Sequence, residues 1–372
     1  MTRLLLHIGH PKTGTTALQS VLSANAAKLQ DEASILYPTR TTPTEYKHAF
    51  AIPWLLGLEN EAIRRRGRCQ NEELQELSKA YWQSLTQEVK EVNPKVLILS
   101  AEGFWIFRKA SQEKIDFFRE NLYAIADQIN VAGYLKSPVA YFTSMINQKL
   151  RNYRQVFLPR PNYYRGALEA WESAGFDQCN WRIFDRSRLT NQDIIDDFCQ
   201  HYLPDSLNAS SLSREGVEQA NSSVSNEALV ILEELVTLQP ILRDNIYDHR
   251  RSKVVDILRQ ADRDVGGICR PSLTTDAKTF IISRCQDLGW LQERGLTFPD
   301  IDPALINHST SQSATSSTTS ELPETFSRVA DFCPVDAERL ASLRAAASDK
   351  IEALFRDKPQ RFFWPFTGRS RR

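Results

Sequence analysis

Short apolar runs alternate with longer amphipathic stretches through the first half of the chain. Five runs of four to six residues predict buried strands, and they cover residues 4–8, 35–38, 96–99, 130–135 and 179–184. Apolar positions at helical spacing predict helices at 15–27, 48–58, 60–92, 111–128 and 139–151. Strands that alternate with helices are typical of βαβ units, so we expect an α/β fold with a central, mostly parallel sheet.

The second half of the chain has mainly helical patterns. They predict helices near residues 192–203, 224–239, 246–262, 275–293 and 336–356. Residues 308–320 are almost all Ser, Thr, Ala and Gln, which is typical of a flexible linker. We therefore divide the chain into an α/β core (1–205), a helical remainder of the same domain (206–307), a linker (308–323) and a last helix with an aromatic and basic tail (324–372).

Composition excludes several classes of protein. The 372 residues include 46 basic and 46 acidic ones, so the charge balance indicates neither nucleic acid nor an acidic partner. The six cysteines form no Cys-x-x-Cys pair, hence no metal or disulfide signature, as is typical of a reducing compartment. The first strand begins without the apolar run of a signal peptide, and no stretch approaches the roughly 18 apolar residues of a membrane span. We expect a soluble, cytoplasmic protein.

The polar loop after the first strand carries the clearest chemical signal. Gly9 and Pro11 end the strand, and Gly14 allows a tight turn. Thr15 and Thr16 are expected to cap the helix that follows. A strand, a tight loop and a helix N-terminus direct several backbone N–H groups at one point, which predicts a site for an anion such as phosphate.

The position of the lysine distinguishes this loop from nucleotide-triphosphate loops. Gly9 and Gly14 have the spacing of G-x-x-x-x-G-K-[ST], but Thr15 stands where the lysine would follow. Lys12, two positions before Gly14, is the only lysine in the loop. We also find no clear acidic residue that ends a second strand and would hold Mg²⁺.

The loop instead resembles the P-K-[ST]-G-T-[ST] loop of sulfotransferases, which binds the 5′-phosphosulfate of 3′-phosphoadenosine 5′-phosphosulfate (PAPS). The matching residues are Pro11, Lys12, Thr13, Gly14, Thr15 and Thr16. The resemblance implies a P-loop-like, three-layer fold and a PAPS-dependent enzyme that needs no metal.

A second segment supports the same resemblance. Sulfotransferases carry R-x-P, followed by a serine eight residues after the arginine, for the 3′-phosphate of the donor. Lys136-Ser137-Pro138, followed by Ser144, is similar to it. The departure is Lys136, which is a point charge without the bidentate fork of arginine. A nearby arginine such as Arg151 can assist it.

The resemblance also implies roles for individual residues. Lys12 is expected to stabilise charge on the bridging oxygen as sulfuryl transfer proceeds, while the backbone amides of residues 13–16 hold the 5′-phosphate. Glu102 is the expected general base, because glycan sulfotransferases use a glutamate, whereas small-molecule cytosolic ones use a histidine. His48 is the competing base, and we expect it to contact the acceptor. His7 and His10 need have no chemical role.

The resemblance, with Glu102 as the base, also implies that the acceptor is a hydroxyl of a carbohydrate or glycolipid. Four aromatic residues suit a sugar ring but suit a protein core equally well; they are Trp54, Trp105, Tyr141 and Tyr153. Two other functions stay open. One is a P-loop kinase-like phosphotransferase that uses ATP and Mg²⁺ on a small metabolite, and the other is a binding module that keeps the nucleotide site without transfer.

Overall fold

The computed structural model describes residues 1–39, 48–58, 71–151, 162–204, 207, 209–215, 223–238, 250–267, 270–306 and 327–355. Its sheet has five strands: Arg3–Gly9 (β1), Ile35–Leu36 (β2), Val96–Ala101 (β3), Gln128–Leu135 (β4) and Gln178–Ile183 (β5). Their order is β2-β3-β1-β4-β5, and every neighbouring pair is parallel. The expected α/β class and parallel sheet are confirmed.

The central strands are apolar because both of their faces are covered. Every residue of β3 is buried, and so is every residue of β1 after Arg3. Successive side chains of a strand point to opposite faces, so burial along the whole strand requires packing on both sides of the sheet. The register places Leu5 of β1 between Ile98 of β3 and Asn130 of β4.

The chain divides into two compact units, each assembled from separate segments. The first unit contains residues 1–137, 161–220 and 286–307, and the second contains 138–160, 221–285 and 308–372. The consecutive division made from the sequence stays a prediction, and its linker at 308–323 lies outside the described residues. None of the helices in the described part of the chain is long and apolar enough to cross a membrane.

The first unit contains the sheet and several helices. These helices are Thr15–Ala24 (α1), Ala26–Ala33 (α2), Ala51–Leu56, Asn71–Val92, Gln112–Tyr123, Arg165–Ser173, Ile194–Tyr202 and Leu288–Glu293. The single helix expected at 15–27 is broken at Asn25, which has a φ of −107° and a ψ of 15°. Its side-chain amide donates to Val21 O at 2.8 Å, and its side-chain oxygen accepts from Ser213 N at 2.9 Å. These bonds give backbone polar groups at the break between α1 and α2 a hydrogen-bond partner.

The regular elements described in the second unit are all helices. Its helices are Pro138–Arg151, Asn226–Leu238, Arg250–Val265, Thr275–Arg284, Val329–Phe332 and Ala337–Ala353. A buried charge cluster joins three of them, since Arg339 pairs with both Glu227 and Asp262. Asp262 also accepts the Ser225 amide at 2.8 Å and the Ser225 hydroxyl at 2.6 Å. A buried pair that is satisfied in this way orients helices, and loss of one partner is costly.

The helix expected at 275–293 is interrupted. It is observed as Thr275–Arg284 and Leu288–Glu293, and Cys285 between them has a ψ of 92° that no helix accommodates. The patterns at both ends are helical, so periodicity alone could not locate the break.

Candidate functional site

The loop between β1 and α1 has an unusual backbone. Lys12 and Gly14 both adopt left-handed conformations, with φ values of 71° and 74°. The hydroxyl of Thr13 donates to His10 O at 2.6 Å and so closes the turn. A left-handed conformation costs about 1–2 kcal/mol at a residue with a side chain such as Lys12. Strain of this kind concentrates at ligand sites.

The N-terminus of α1 opens on this loop. Its N-cap is Gly14, which provides no side-chain cap, and the first helical bond runs from Leu18 N to Gly14 O at 3.0 Å. The expectation that Thr15 or Thr16 caps the helix is therefore wrong. The hydroxyl of Thr15 donates to the Glu102 carboxylate instead. The amides of the first turn face the loop, where a helix favours negative charge.

Glu102 lies beside the loop because β3 is next to β1. Ala101 at the end of β3 pairs with Ile8 of β1, and Glu102 follows as the first residue of the 3₁₀ helix Glu102–Lys109. Its Cγ lies 3.2 Å from the point that a Cβ on Gly9 would occupy. Glycine at position 9 thus lets the carboxylate and the Thr15 side chain approach the strand end.

Lys136, which directly follows β4, brings a second cation close to Lys12. The Lys136 ammonium donates to Lys12 O at 3.1 Å and lies 5.5 Å from the centre of the Phe184 ring. Burial, followed by the nearby Lys12 ammonium, lowers the pKa of Lys136 to about 8, while Asp300 and Asp185 act in the opposite direction. Two lysines 124 positions apart in the chain therefore meet at one loop.

His10, in the same loop, is enclosed by aromatic rings. Its imidazole stacks on Tyr164 with ring centres 5.4 Å apart and planes 9° from parallel. The edges of Trp105 and Tyr163 approach it at 4.8 Å and 5.2 Å. Complete burial lowers the pKa of His10 to about 3, so this side chain is neutral at physiological pH. Its surroundings are those of a packed loop residue.

His48 makes structural contacts with both of its ring nitrogens. Nδ1 accepts the Ser100 amide at 2.8 Å, and Nε2 donates to Pro38 O at 3.0 Å. Because β2 pairs only with the first two residues of β3, the imidazole replaces a strand partner at Ser100. Burial lowers the pKa of His48 to about 4. The expected acceptor contact stays a prediction that these bonds do not favour.

Ser144 is half-buried on the helix Pro138–Arg151 in the second unit, whereas Lys136 directly follows β4 in the first unit. Its predicted part in the 3′-phosphate site stays a prediction. Of the aromatic residues that suit a sugar ring, Tyr153 lies outside the described residues, and Trp54 packs edge-on against Phe117 with ring centres 5.0 Å apart.

Two residues near the loop have no counterpart in the sequence motifs. The hydroxyl of Tyr164 donates to Lys136 O at 2.6 Å. The carboxylate of Asp300 accepts the Ser137 hydroxyl at 2.5 Å across 163 positions of sequence. No local pattern marks either residue, because each hydrogen bond joins residues that are distant in the chain.

Comparison of the chain with protein-family models, with curated proteins and with solved structures gives no match in any of the three. The geometry of the loop and the motifs of the chain are therefore the basis for a functional proposal.

Proposed function

We propose that the protein is a PAPS-dependent sulfotransferase of P-loop-like architecture. It would transfer the sulfuryl group to an acceptor hydroxyl, with a carbohydrate or glycolipid as the expected acceptor. The observation that supports this most directly is the approach of Lys136 to Lys12, because it unites the two sequence segments that resemble the donor-binding motifs.

The strand order supports the position of the site. From β1 the chain proceeds to β2 on one side of the sheet, and from β4 it proceeds to β5 on the other. Ligands of open parallel sheets bind outside the carboxyl ends of the strands where the connections diverge in this way. Here that point lies between β1 and β4, where Lys12 and Lys136 meet.

The residues at this point suit a donor with several negative charges. An uncapped helix N-terminus, the left-handed loop and two ammonium groups all favour an anion. The 5′-phosphosulfate would lie against the loop residues Pro11, Lys12, Thr13, Gly14, Thr15 and Thr16, and Lys136 would hold the 3′-phosphate. When bound, PAPS supplies an activated sulfuryl group whose transfer needs no further cofactor.

The protein's own groups have separate roles in this proposal. Lys12 stabilises the negative charge that develops on the bridging oxygen, an interaction that is stronger in the transition state than in the ground state. Glu102 accepts the proton of the acceptor hydroxyl, a role worth about 10²–10⁴ in rate. The Thr15 hydroxyl orients the Glu102 carboxylate through its hydrogen bond.

One observation favours a second candidate, a phosphotransferase that uses ATP and Mg²⁺. Glu102 directly follows β3 and accepts a hydrogen bond from Thr15 beside the loop. A loop hydroxyl and a carboxylate at a neighbouring strand end are the ligands that hold Mg²⁺ in P-loop enzymes. The sequence alone did not single out Glu102 for this role. The absence of a lysine after Gly14 argues against this candidate.

A thermal-shift titration separates the candidates. The ligands are 3′-phosphoadenosine 5′-phosphate, ATP with Mg²⁺, and adenosine 5′-phosphate, because a ligand that binds only the folded state raises the melting temperature with its saturation. We expect a shift with the bisphosphate alone. A shift with ATP and Mg²⁺ alone would replace the sulfotransferase proposal with the phosphotransferase.

Activity is then tested with radiolabelled PAPS and a panel of glycan acceptors. We expect Lys12→Ala to bind the bisphosphate weakly and to lose nearly all transfer. The matched control is Lys95→Ala. Lys95 is an exposed lysine just before β3, at the amino-terminal ends of the strands and thus away from the loop. Normal turnover in Lys12→Ala would remove Lys12 from the mechanism. Tight binding without transfer to any acceptor would favour the binding module.

A further inference from the structure

We infer that Tyr164 is a positioning residue that holds Lys136 against the loop between β1 and α1. The anion that Lys136 would bind rests on the proposed function, whereas the position of the lysine does not. Tyr164 contacts both the residue that follows β4 and the loop. Its hydroxyl donates to Lys136 O at 2.6 Å, and its ring stacks on His10 with ring centres 5.4 Å apart.

The carbonyl of Lys136 lies beyond the regular part of the sheet. Just after β5, Phe184 N donates to Leu135 O of β4 at 2.7 Å. The next carbonyl, that of Lys136, accepts the Tyr164 hydroxyl instead. This bond extends the ordered backbone by the one residue that carries the ammonium group, because it gives that carbonyl a protein partner.

Tyr164 is itself held rigidly. Its side chain is only 1% exposed, and its ring packs against Phe298 with centres 5.7 Å apart. The buried Asp287 carboxylate accepts the amides of Tyr164 and Arg165 at 2.7 Å and 2.9 Å. Asp287 thereby anchors the start of the helix Arg165–Ser173. The phenol cannot move without disturbing these contacts, so it is a fixed reference point for Lys136.

Lys136 needs such a restraint because its position is unfavourable for a cation. The ammonium is partly buried, and the Lys12 ammonium repels it. Its carboxylate neighbours, Asp300 and Asp185, offset only part of this effect. A lysine that was free to move would turn toward solvent. A restrained lysine keeps two positive charges close together, as binding of a polyanion requires.

Tyr164→Phe tests the inference, because it removes the hydroxyl and retains the ring that stacks on His10. Tyr134→Phe is the matched control. Tyr134 is also fully buried, and its hydroxyl makes one bond to Asp197 at 2.7 Å. Asp197 keeps its bonds from Arg182 in that control. Both variants lose one buried hydroxyl bond, so an effect on Lys136 beyond the control is specific to Tyr164.

The first readout needs no ligand. In protein labelled with ¹³C-lysine, the side-chain carbon signals of Lys136, assigned with the Lys136→Arg variant, report its titration. We expect a midpoint near pH 8 in the native protein and in Tyr134→Phe. In Tyr164→Phe the midpoint should rise by about one pH unit, because the released ammonium gains water. An unchanged midpoint would overturn the inference.

The second readout is affinity for 3′-phosphoadenosine 5′-phosphate, which should fall about tenfold in Tyr164→Phe and remain unchanged in Tyr134→Phe. Equal losses in the two variants would mean that Tyr164 is merely structural. If the native protein does not bind the bisphosphate, the proposed function fails. The lysine titration still decides the positioning role in that case.

Discussion

The lowered pKa of Lys136 predicts that donor binding weakens as pH rises above 8. In the free protein, burial and the Lys12 charge favour the neutral amine, and the pKa of Lys136 is about 8. A bound phosphate favours the ammonium, so the pKa is higher in the complex. Deprotonation of Lys136 in the free protein therefore weakens binding, because the amine has to take up a proton when the ligand binds.

The size of the effect follows from the fraction of protonated Lys136. With a pKa of about 8, the ammonium form falls from about nine-tenths of the protein at pH 7 to about one-thirtieth at pH 9.5. If only this form binds, the apparent Kd for 3′-phosphoadenosine 5′-phosphate rises about 30-fold, which corresponds to about 2 kcal/mol of binding free energy.

Isothermal titration calorimetry at constant ionic strength, between pH 7 and 9.5, measures this change. The phosphates of the ligand are ionised across the range, since their second pKa is about 6. His7, His10 and His48 do not interfere, because burial lowers their pKa values to about 4, 3 and 4 and all three are already neutral.

The control is Lys136→Arg, because arginine keeps its charge throughout this range. Its affinity should hardly change with pH. A flat profile in the native protein would refute the argument. So would an equally steep decline in Lys136→Arg, which would assign the pH dependence to another group.

Two further predictions concern the two candidate bases. Glu102→Gln should lower kcat about 10²–10⁴-fold and leave the affinity for 3′-phosphoadenosine 5′-phosphate within about twofold of the native value. Steady-state kinetics and calorimetry measure the two effects, and an unchanged kcat would exclude Glu102 as the base. His48→Phe removes the acceptor of the Ser100 amide, so denaturant unfolding should reveal a loss of about 1–3 kcal/mol. The kcat of that folded variant should remain normal, and full stability with a lost kcat would restore His48 as a catalytic candidate.

The strands and the loop follow from local patterns in the chain. Burial on both faces requires continuous apolar runs, so β1, β3 and β4 were recognisable and their ends differ from expectation by only one or two residues. The left-handed turn favours glycine at position 14, where a Cβ would lie 3.3 Å from the Phe184 ring. The same patterns missed the breaks at Asn25 and at 285–287, where helical periodicity continues across one and three non-helical residues.

Residue type and spacing thus determined the α/β class, the parallel sheet and the candidate loop, because strands and tight turns depend on neighbours in the sequence. Tertiary structure alone decided what surrounds that loop. It placed His48 beside β3, where its ring accepts the Ser100 amide, and it brought Tyr164 and Asp300 to the residues that follow β4. Each of these contacts joins residues that are distant in the chain, and a single long-range hydrogen bond requires no repeating pattern that a sequence could display.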